Sequence, residues 1–201
     1  YDALGYYLED YDFGDAVEDV NGDGISDLVI GARLQDVDGK EDQGQAYVFS
    51  GIDGTWLGVT IAAPVPQERA FFGASLATLE DRSQNGSSVI VGAPQQSFGN
   101  IEGEGAAYLM SATNGELLAI ILHPDPQVGA SFGFVVESVG DLDGDSVSDF
   151  VVTAPFQDVS GGANQGQVYA FSGQSTELLY VINAPEPMPS ARFGFAVAAT
   201  N

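Results

Sequence analysis

The chain of 201 residues carries 29 Asp and Glu against 5 Lys and Arg, a formal net charge of −24, so its surface repels nucleic-acid backbones and anionic membranes and no nucleic-acid partner is expected. It has no cysteine, which excludes disulfides, iron–sulfur clusters and thiolate zinc sites. Nor does it have an apolar run long enough for a membrane-spanning helix, so direct membrane insertion is not expected.

Taken in order, the chain repeats. Its first legible stretch is Asp19-Val20-Asn21-Gly22-Asp23-Gly24-Ile25-Ser26-Asp27, an acidic loop running into the apolar segment Leu28–Ile30. A polar connection, Leu34 to Gln43, leads to an alternating strand from Gln45 to Ser50 and a further strand from Trp56 to Ile61. The second unit gives a weaker loop from Asp81 to Ser88, a strand to Val91, the connection Gln95 to Glu104, and strands Ala106–Met110 and Leu117–Leu122. In the third, Phe132–Val139 reads as a strand, Gly140 to Ser148 as an acidic loop, and Phe150–Ala154 as a strand too apolar to have a wet face. Pro155 ends that strand; Gln157 to Gln165 connects to strands Gly166–Ser172 and Glu177–Ile182.

Two markers fix the period. Gly31, Gly92 and Thr153 are 61 residues apart, and so are Tyr47, Tyr108 and Tyr169. Phe72-Gly73, Phe132-Gly133 and Phe193-Gly194 open successive units; Phe13-Gly14 is the nearest counterpart in the first, although the spacing to Asp19 places the true equivalent nearer Asp10 or Tyr11. Approximate units are therefore 1–70, 71–130, 131–191 and a partial 192–201. Four strands in about 61 residues, with a long connection between the second and third, is the pattern of a propeller blade. The expected fold is all-β, with about three four-stranded blades and the opening strand of a fourth. Small residues at Gly31-Ala32, Gly92-Ala93 and Thr153-Ala154 would let strands converge near the axis, while the opening phenylalanines fill the space between blades. Because the pattern opens in mid-unit and stops inside another, the chain is expected to be a mature or trimmed segment.

Oxygens at positions 1, 3, 5, 7 and 9 of a tight glycine-containing loop converge on one hard cation, position 7 giving its backbone carbonyl. Here they are Asp19, Asn21, Asp23, Ile25 and Asp27 in the first unit, and Asp141, Asp143, Asp145, Val147 and Asp149 in the third. The expected ion is Ca²⁺, which also relieves the repulsion of several carboxylates packed into nine residues. An EF-hand is rejected, since its twelfth residue is a glutamate, whereas that place holds Ile30 or Val152 between strands. The second loop keeps Asp81, Ser83, Asn85 and Ser87 but has Ser88 or Val89 where a closing carboxylate belongs, so a hydrogen-bonded turn is expected there; Asn85-Gly86-Ser87 is also a glycosylation sequon.

The Phe-Gly openings, Asp-rich loops and Gly-Ala-Pro endings resemble the FG-GAP repeats of the integrin alpha-subunit N-terminal propeller and of many microbial surface proteins. The likeness spans nearly the whole chain, with Arg33 and Thr153 departing from the motif. It implies a seven-bladed propeller with Ca²⁺ loops on one face and ligand contacts on the other. It also implies an extracellular or cell-surface setting.

Among other chemistries, the sole histidine, His123, has no partner pattern and is expected to be structural, and no nucleophile triad or phosphate cradle is present. The three long connections are the places for a protein or glycan ligand, and Tyr6, Tyr7 and Tyr11 for a partner or for packing between blades. Two functions follow. One is a non-catalytic, calcium-stabilised extracellular structural or adhesion module belonging to a larger propeller, or to a homo-oligomer or filament of neighbouring copies; the other is a carbohydrate-binding or glycan-processing propeller domain.

Overall fold

The computed structural model describes residues 14–17, 19–79 and 87–199. They form three four-stranded antiparallel sheets in chain order. The first holds β1 (Gly14–Val17), β2 (Asp27–Ala32), β3 (Gln45–Phe49) and β4 (Trp56–Ala62). The second holds β5 (Leu76–Leu79), β6 (Ser88–Ala93), β7 (Ala106–Ser111) and β8 (Leu117–Leu122). The third holds β9 (Val136–Gly140), β10 (Asp149–Ala154), β11 (Gln167–Phe171) and β12 (Leu178–Asn183). Each sheet pairs its strands consecutively, and β1, β5 and β9 adjoin one another, so the sheets stand as successive propeller blades with their first strands innermost.

Alternation along the strands makes two apolar faces per blade, and each junction buries one face from either side. At the first junction Val29, Ala46, Val48 and Ile61 of one blade meet Phe72, Val89, Val91 and Tyr108 of the next. Ile90, Ala107 and Ile121 meet Phe132, Phe150, Val152 and Tyr169 at the second. The opening phenylalanines do fill the space between blades, Phe72 and Phe132 being fully buried. Truncating such a ring to alanine typically costs about 3–5 kcal/mol.

Phe132 does not, however, begin a strand. The ladder starts at Val136, because the Phe132 N–H is taken by the carbonyl of Glu104 in the preceding blade at 2.9 Å and Ser131 and Gly133 adopt left-handed φ of 57° and 87°. Phe72 and Phe193 dock identically, on Gln43 at 2.9 Å and Gln165 at 2.8 Å. Past Phe193-Gly194, residues 196–199 carry no regular strand, so the fourth unit is present as its opening turn, with Val197 packed on the third blade. In the first blade Gly14 pairs with Ile30 where Leu76 pairs with Val91 and Val136 with Val152. Counting back by the same four residues that separate Phe132 from Val136 reaches Asp10 rather than Phe13; both lie outside the described residues, as do Tyr6, Tyr7 and Tyr11.

The small residues at 31 and 92 serve the junction rather than the axis. A Cβ on Gly31 would overlap the carbonyl oxygen of Gly73, and one on Gly92 that of Gly133, so each blade's second strand touches the opening turn of the next. Thr153 instead uses its hydroxyl to accept the Val135 N–H at 3.1 Å.

The junctions differ in their polar contacts. His123 is buried between the second and third blades, stacked on Phe132 at 5.0 Å and bonded through Nε2 to the Tyr169 hydroxyl at 3.0 Å. That hydroxyl donates to Gln167 at 2.7 Å. At the first junction Ala63 and Ala106 stand where His123 and Gln167 would, and the buried Tyr108 hydroxyl has no partner. Removing it with Tyr108→Phe should therefore raise stability by about 1 kcal/mol, whereas Tyr169→Phe should lower it, both read by urea denaturation; a loss at both positions would contradict the assignment.

Burial pushes the His123 imidazole down to about 4, against the pull of Asp125. The folded chain thus holds the neutral ring, and the unfolded chain protonates first. Its contribution is complete above the ordinary value of 6.5 and is lost as pH falls towards 4, on the order of 3 kcal/mol over that window. Denaturation midpoints at pH 7, 6 and 4.5 should show a decline that the His123→Phe variant lacks; an equal slope in both chains would exclude His123 as the cause.

Candidate metal centre

Antiparallel order puts the β1–β2 and β9–β10 loops at the same end of their blades, with the long β2–β3, β6–β7 and β10–β11 connections at the other. The basic residues Arg33, Lys40, Arg69 and Arg192 all lie on that second end, where Arg69 pairs with Glu41 at 2.9 Å. Among the described residues, the loop end carries no Lys or Arg.

Each acidic loop is folded by its own carboxylates. Asp19 takes the N–H groups of Gly22 at 2.6 Å and Asp23 at 3.0 Å on Oδ1, and that of Gly24 at 2.6 Å on Oδ2. The Gly24 N–H contributes most, with Gly22, Asp23 and Asn21 adding to it, in holding the Asp19 carboxyl below the usual carboxylate range. Asn21 Oδ1 accepts the Asp23 N–H at 2.9 Å, and Asp23 Oδ1 that of Ile25 at 2.9 Å. Asp141, held low first by Gly144, takes that N–H at 2.6 Å and the Ser146 N–H at 3.0 Å, while Asp143 and Asp145 accept from residues two further on.

The ninth residue locks the loop to the sheet. Asp27 and Asp149, both fully buried, open β2 and β10. Asp27 accepts the Val20 N–H at 2.9 Å and, from the β3–β4 turn, the Gly51 N–H at 3.1 Å. Asp149 does the same with Leu142 at 2.6 Å and Gly173 at 2.9 Å. In the second blade the ladder puts Ser88 at this position, and Ala112 replaces the glycine, its N–H going to the Ser87 carbonyl at 3.0 Å. Asp81, Ser83 and Asn85 lie outside the described residues.

In the third blade Asp141, Asp143 and Asp149 each bring one carboxylate oxygen within 4.8 Å of the others. Asp145 is outside that trio. In the first blade Asn21 takes the place of Asp143, its Nδ2 lying 3.4 Å from Asp27. The donors are oxygens alone, the set a hard divalent cation takes. Asp53 sits in the β3–β4 turn; its pKa is lowered chiefly by the Thr55 hydroxyl, which it binds at 2.8 Å, a local turn.

The long connections are ordered, which composition did not reveal. Each contains a two-residue bridge, Val37 with Lys40, Phe98 with Ile101 and Val159 with Gly162. In each, the side chain of residue 36, 97 or 158 accepts an N–H six positions on. Gln43, Gln96, Gln157 and Gln165 are buried at the ends of these segments. Their recurrence at the 61-residue period was the available signal, and it places them in the blade framework, leaving the bridge tips as the exposed part.

The FG-GAP repeat model matches residues 14–49 and 135–171, the two stretches that contain the complete acidic loops. The chain carries FG-GAP repeats. It is 31% identical over 144 residues to Integrin alpha-7 of Homo sapiens, covering 68% of this chain and 11% of that protein. It is 33% identical over 147 residues to Integrin alpha-2 of Bos taurus, and 31% over 170 residues to Integrin alpha-4 of Xenopus laevis, covering 68% and 84% of this chain. The chain spans 11% to 15% of these relatives' lengths. In structure it is similar to the Bacillus licheniformis Rhamnogalacturonan Lyase PL11, with a TM-score of 0.50 at 15% identity over 86% of this chain and 34% of the lyase. That likeness is one of fold. The FG-GAP loops of blades one and three differ at one strained position: Ser146, with φ of 72°, stands where the first loop has Gly24 at 87°. Ser146→Gly should raise the thermal midpoint by the equivalent of about 1 kcal/mol, measured by calorimetry; an unchanged or lower midpoint would show that the serine is held without strain.

Proposed function

We propose that this chain is a non-catalytic, calcium-stabilised module of an extracellular or cell-surface adhesion or structural protein. The observation that carries the reading is the convergence of Asp141, Asp143 and Asp149 in a loop whose backbone is wrapped around its own carboxylates, with the same framework built a second time around Asp19 and Asp27. Asp19, Asn21, Asp23, Asp27 and the Ile25 carbonyl would hold one Ca²⁺, and Asp141, Asp143, Asp145, Asp149 and the Val147 carbonyl another. The ion would supply charge neutralisation. The chain's residues do the rest, since Asp27 and Asp149 tie each loop to the neighbouring hairpin turn through Gly51 and Gly173.

The integrin relatives support an adhesion or structural role outside the cell, and a protein or glycan ligand would meet the exposed bridge tips at the opposite end. A cation bound by the native loop alone stabilises the fold by RT ln(1 + [L]/Kd), about 2.7 kcal/mol at a hundredfold excess over Kd. Titration calorimetry should find two strong calcium sites, with Asp23→Ala and Asp145→Ala each removing one, and chelator should lower the melting temperature. No saturable binding in the parent chain would defeat the reading.

A further inference from the structure

Gln43, Glu104 and Gln165 stand 61 residues apart at the ends of the three long connections, and only the second carries a charge. All three are buried, Glu104 being 5% exposed. Each gives its main-chain carbonyl to the N–H of the next unit's phenylalanine, so the position is fixed alike in the three units. The bridges at the tips nevertheless differ. Val37 and Lys40 exchange N–H and carbonyl at 3.1 and 2.9 Å, and so do Val159 and Gly162 at 3.1 and 2.9 Å. In the second tip Ile101 donates to the Phe98 carbonyl at 3.3 Å, but the Phe98 N–H goes to the Glu104 carboxylate at 2.9 Å. Asp38 and Gly39, and Ser160 and Gly161, are all left-handed, whereas of Gly99 and Asn100 only Gly99 is, at 62°.

Charge accounts for the change of partner. A buried carboxylate needs a donor, and an N–H bonds an ionised oxygen more strongly than a neutral carbonyl. Gln43 and Gln165 show the neutral case in the same chain: their Oε1 atoms are buried without a partner, and the Val37 and Val159 N–H groups stay in their bridges. Burial raises the Glu104 carboxyl above the usual carboxylate range, against the pull of the Phe98 N–H. Once protonated, that carboxyl matches in shape and charge the amide at the other two positions.

We propose that Glu104 is a proton-operated latch on the second connection: the carboxylate holds the Phe98 N–H and leaves the tip singly bonded, and the protonated acid releases that N–H to the Ile101 carbonyl, closing the tip into the doubly bonded form of its counterparts. The proton comes from solvent. Closing carries Asn100 into the left-handed region, which asparagine tolerates better than most residues. The charged residues on the segments that meet this connection are exposed: Glu102 beside it, Glu68 and Arg69 on the preceding blade, and Asp125 on the following segment. His123, buried on that same segment, is neutral. Because the folded chain takes up the Glu104 proton before the unfolded one does, this contribution to stability is complete below 4.5 and lost as pH rises through the raised value, opposite in sign to that of His123. The latch lies outside the acidic loops and does not depend on the calcium reading. Its consequence for a ligand, that acid presents all three tips in one form, rests on the function proposed above.

The test is NMR spectroscopy of the full chain in calcium as the pH is lowered from about 8 to about 4, read residue by residue because bulk denaturation mixes the opposed effects of Glu104 and His123. The Glu104 side-chain carboxyl carbon and the Phe98 amide should shift with one shared midpoint above 4.5. Across the same transition, the coupling through the hydrogen bond from the Phe98 nitrogen should pass from the Glu104 carboxyl carbon to the Ile101 carbonyl carbon. In Glu104→Gln the Phe98 amide should hold at every pH the position that the parent reaches in acid, and the Val37 and Val159 amides should lack this transition in both chains. If Glu104→Gln does not fold, the carboxyl and coupling signals of the parent decide alone. A Glu104 carboxyl that titrates at 4.5 or below, a Phe98 amide that titrates unchanged in Glu104→Gln, or a coupling that stays on Glu104 in acid would overturn the proposal. Calcium titration of the same samples at neutral pH reads the function proposed above separately, so a failed latch and a failed calcium site are told apart.

Discussion

A propeller blade has two apolar faces and can cover neither by itself. Every junction in this chain is closed in the same way: the next unit's phenylalanine enters beneath the long connection, its N–H captured by the preceding blade's carbonyl, and a tyrosine from the third strand follows. The left-handed turn at the Phe-Gly opening follows from that capture, since the backbone must reach back to the earlier blade before it starts its own ladder. Thus the local oddities of the motif are consequences of seating one sheet on another.

The acidic loops are coupled to this framework through one buried carboxylate each. Asp27 and Asp149 have their oxygens turned to backbone N–H groups of the loop and of the adjacent hairpin turn, so loop, second strand and turn are one hydrogen-bonded unit. The second blade shows the alternative. Where serine replaces the aspartate, the turn glycine is replaced as well and the N–H goes to a main-chain carbonyl, so the blade keeps its ladder without the buried charge. Burying a carboxylate at that place is therefore not a demand of the fold. It belongs to the loop's chemistry.

Much of this was legible because it repeats. The 61-residue spacing of Gly31, Gly92 and Thr153 and of Tyr47, Tyr108 and Tyr169 located the strands, and the alternating oxygens of residues 19–27 and 141–149 located the loops. Spacing fails where the answer depends on another blade. Phe132 looks like the first residue of a strand because its neighbours Phe134, Val135 and Val136 are apolar, yet its N–H is claimed by a residue 28 positions earlier. Gln96 and Gln157 read as polar loop residues, and only the connection of the preceding blade, reached through Gln67 and Asp125, makes them buried. The alternating pattern likewise nominated Asp145 beside its neighbours, but it does not disclose that its carboxylate turns back on Val147 while Asp141, Asp143 and Asp149 converge.

The units are similar without being interchangeable, and the differences sit at the junctions. On the rim of the connection end, Arg33 lies over Phe71 at 5.8 Å between the first and second blades, Gln95 donates to Ser131 at 2.7 Å between the second and third, and Phe156 lies under Arg192 at 5.1 Å beyond the third. Phe71, Ser131 and Arg192 are one position in the three units; Gln95 and Phe156 are the facing one, and in the first unit Arg33 reaches the ring from the residue before the equivalent Leu34. A blade moved one place along would set arginine against serine or ring against ring, losing a matched contact at both of its faces. The interior repeats the logic, with His123 answering Tyr169 where Ala63 leaves Tyr108 without a partner. Repetition accounts for the shape of each blade, and it is this set of mismatched alternatives that makes the order of the blades a property of the chain.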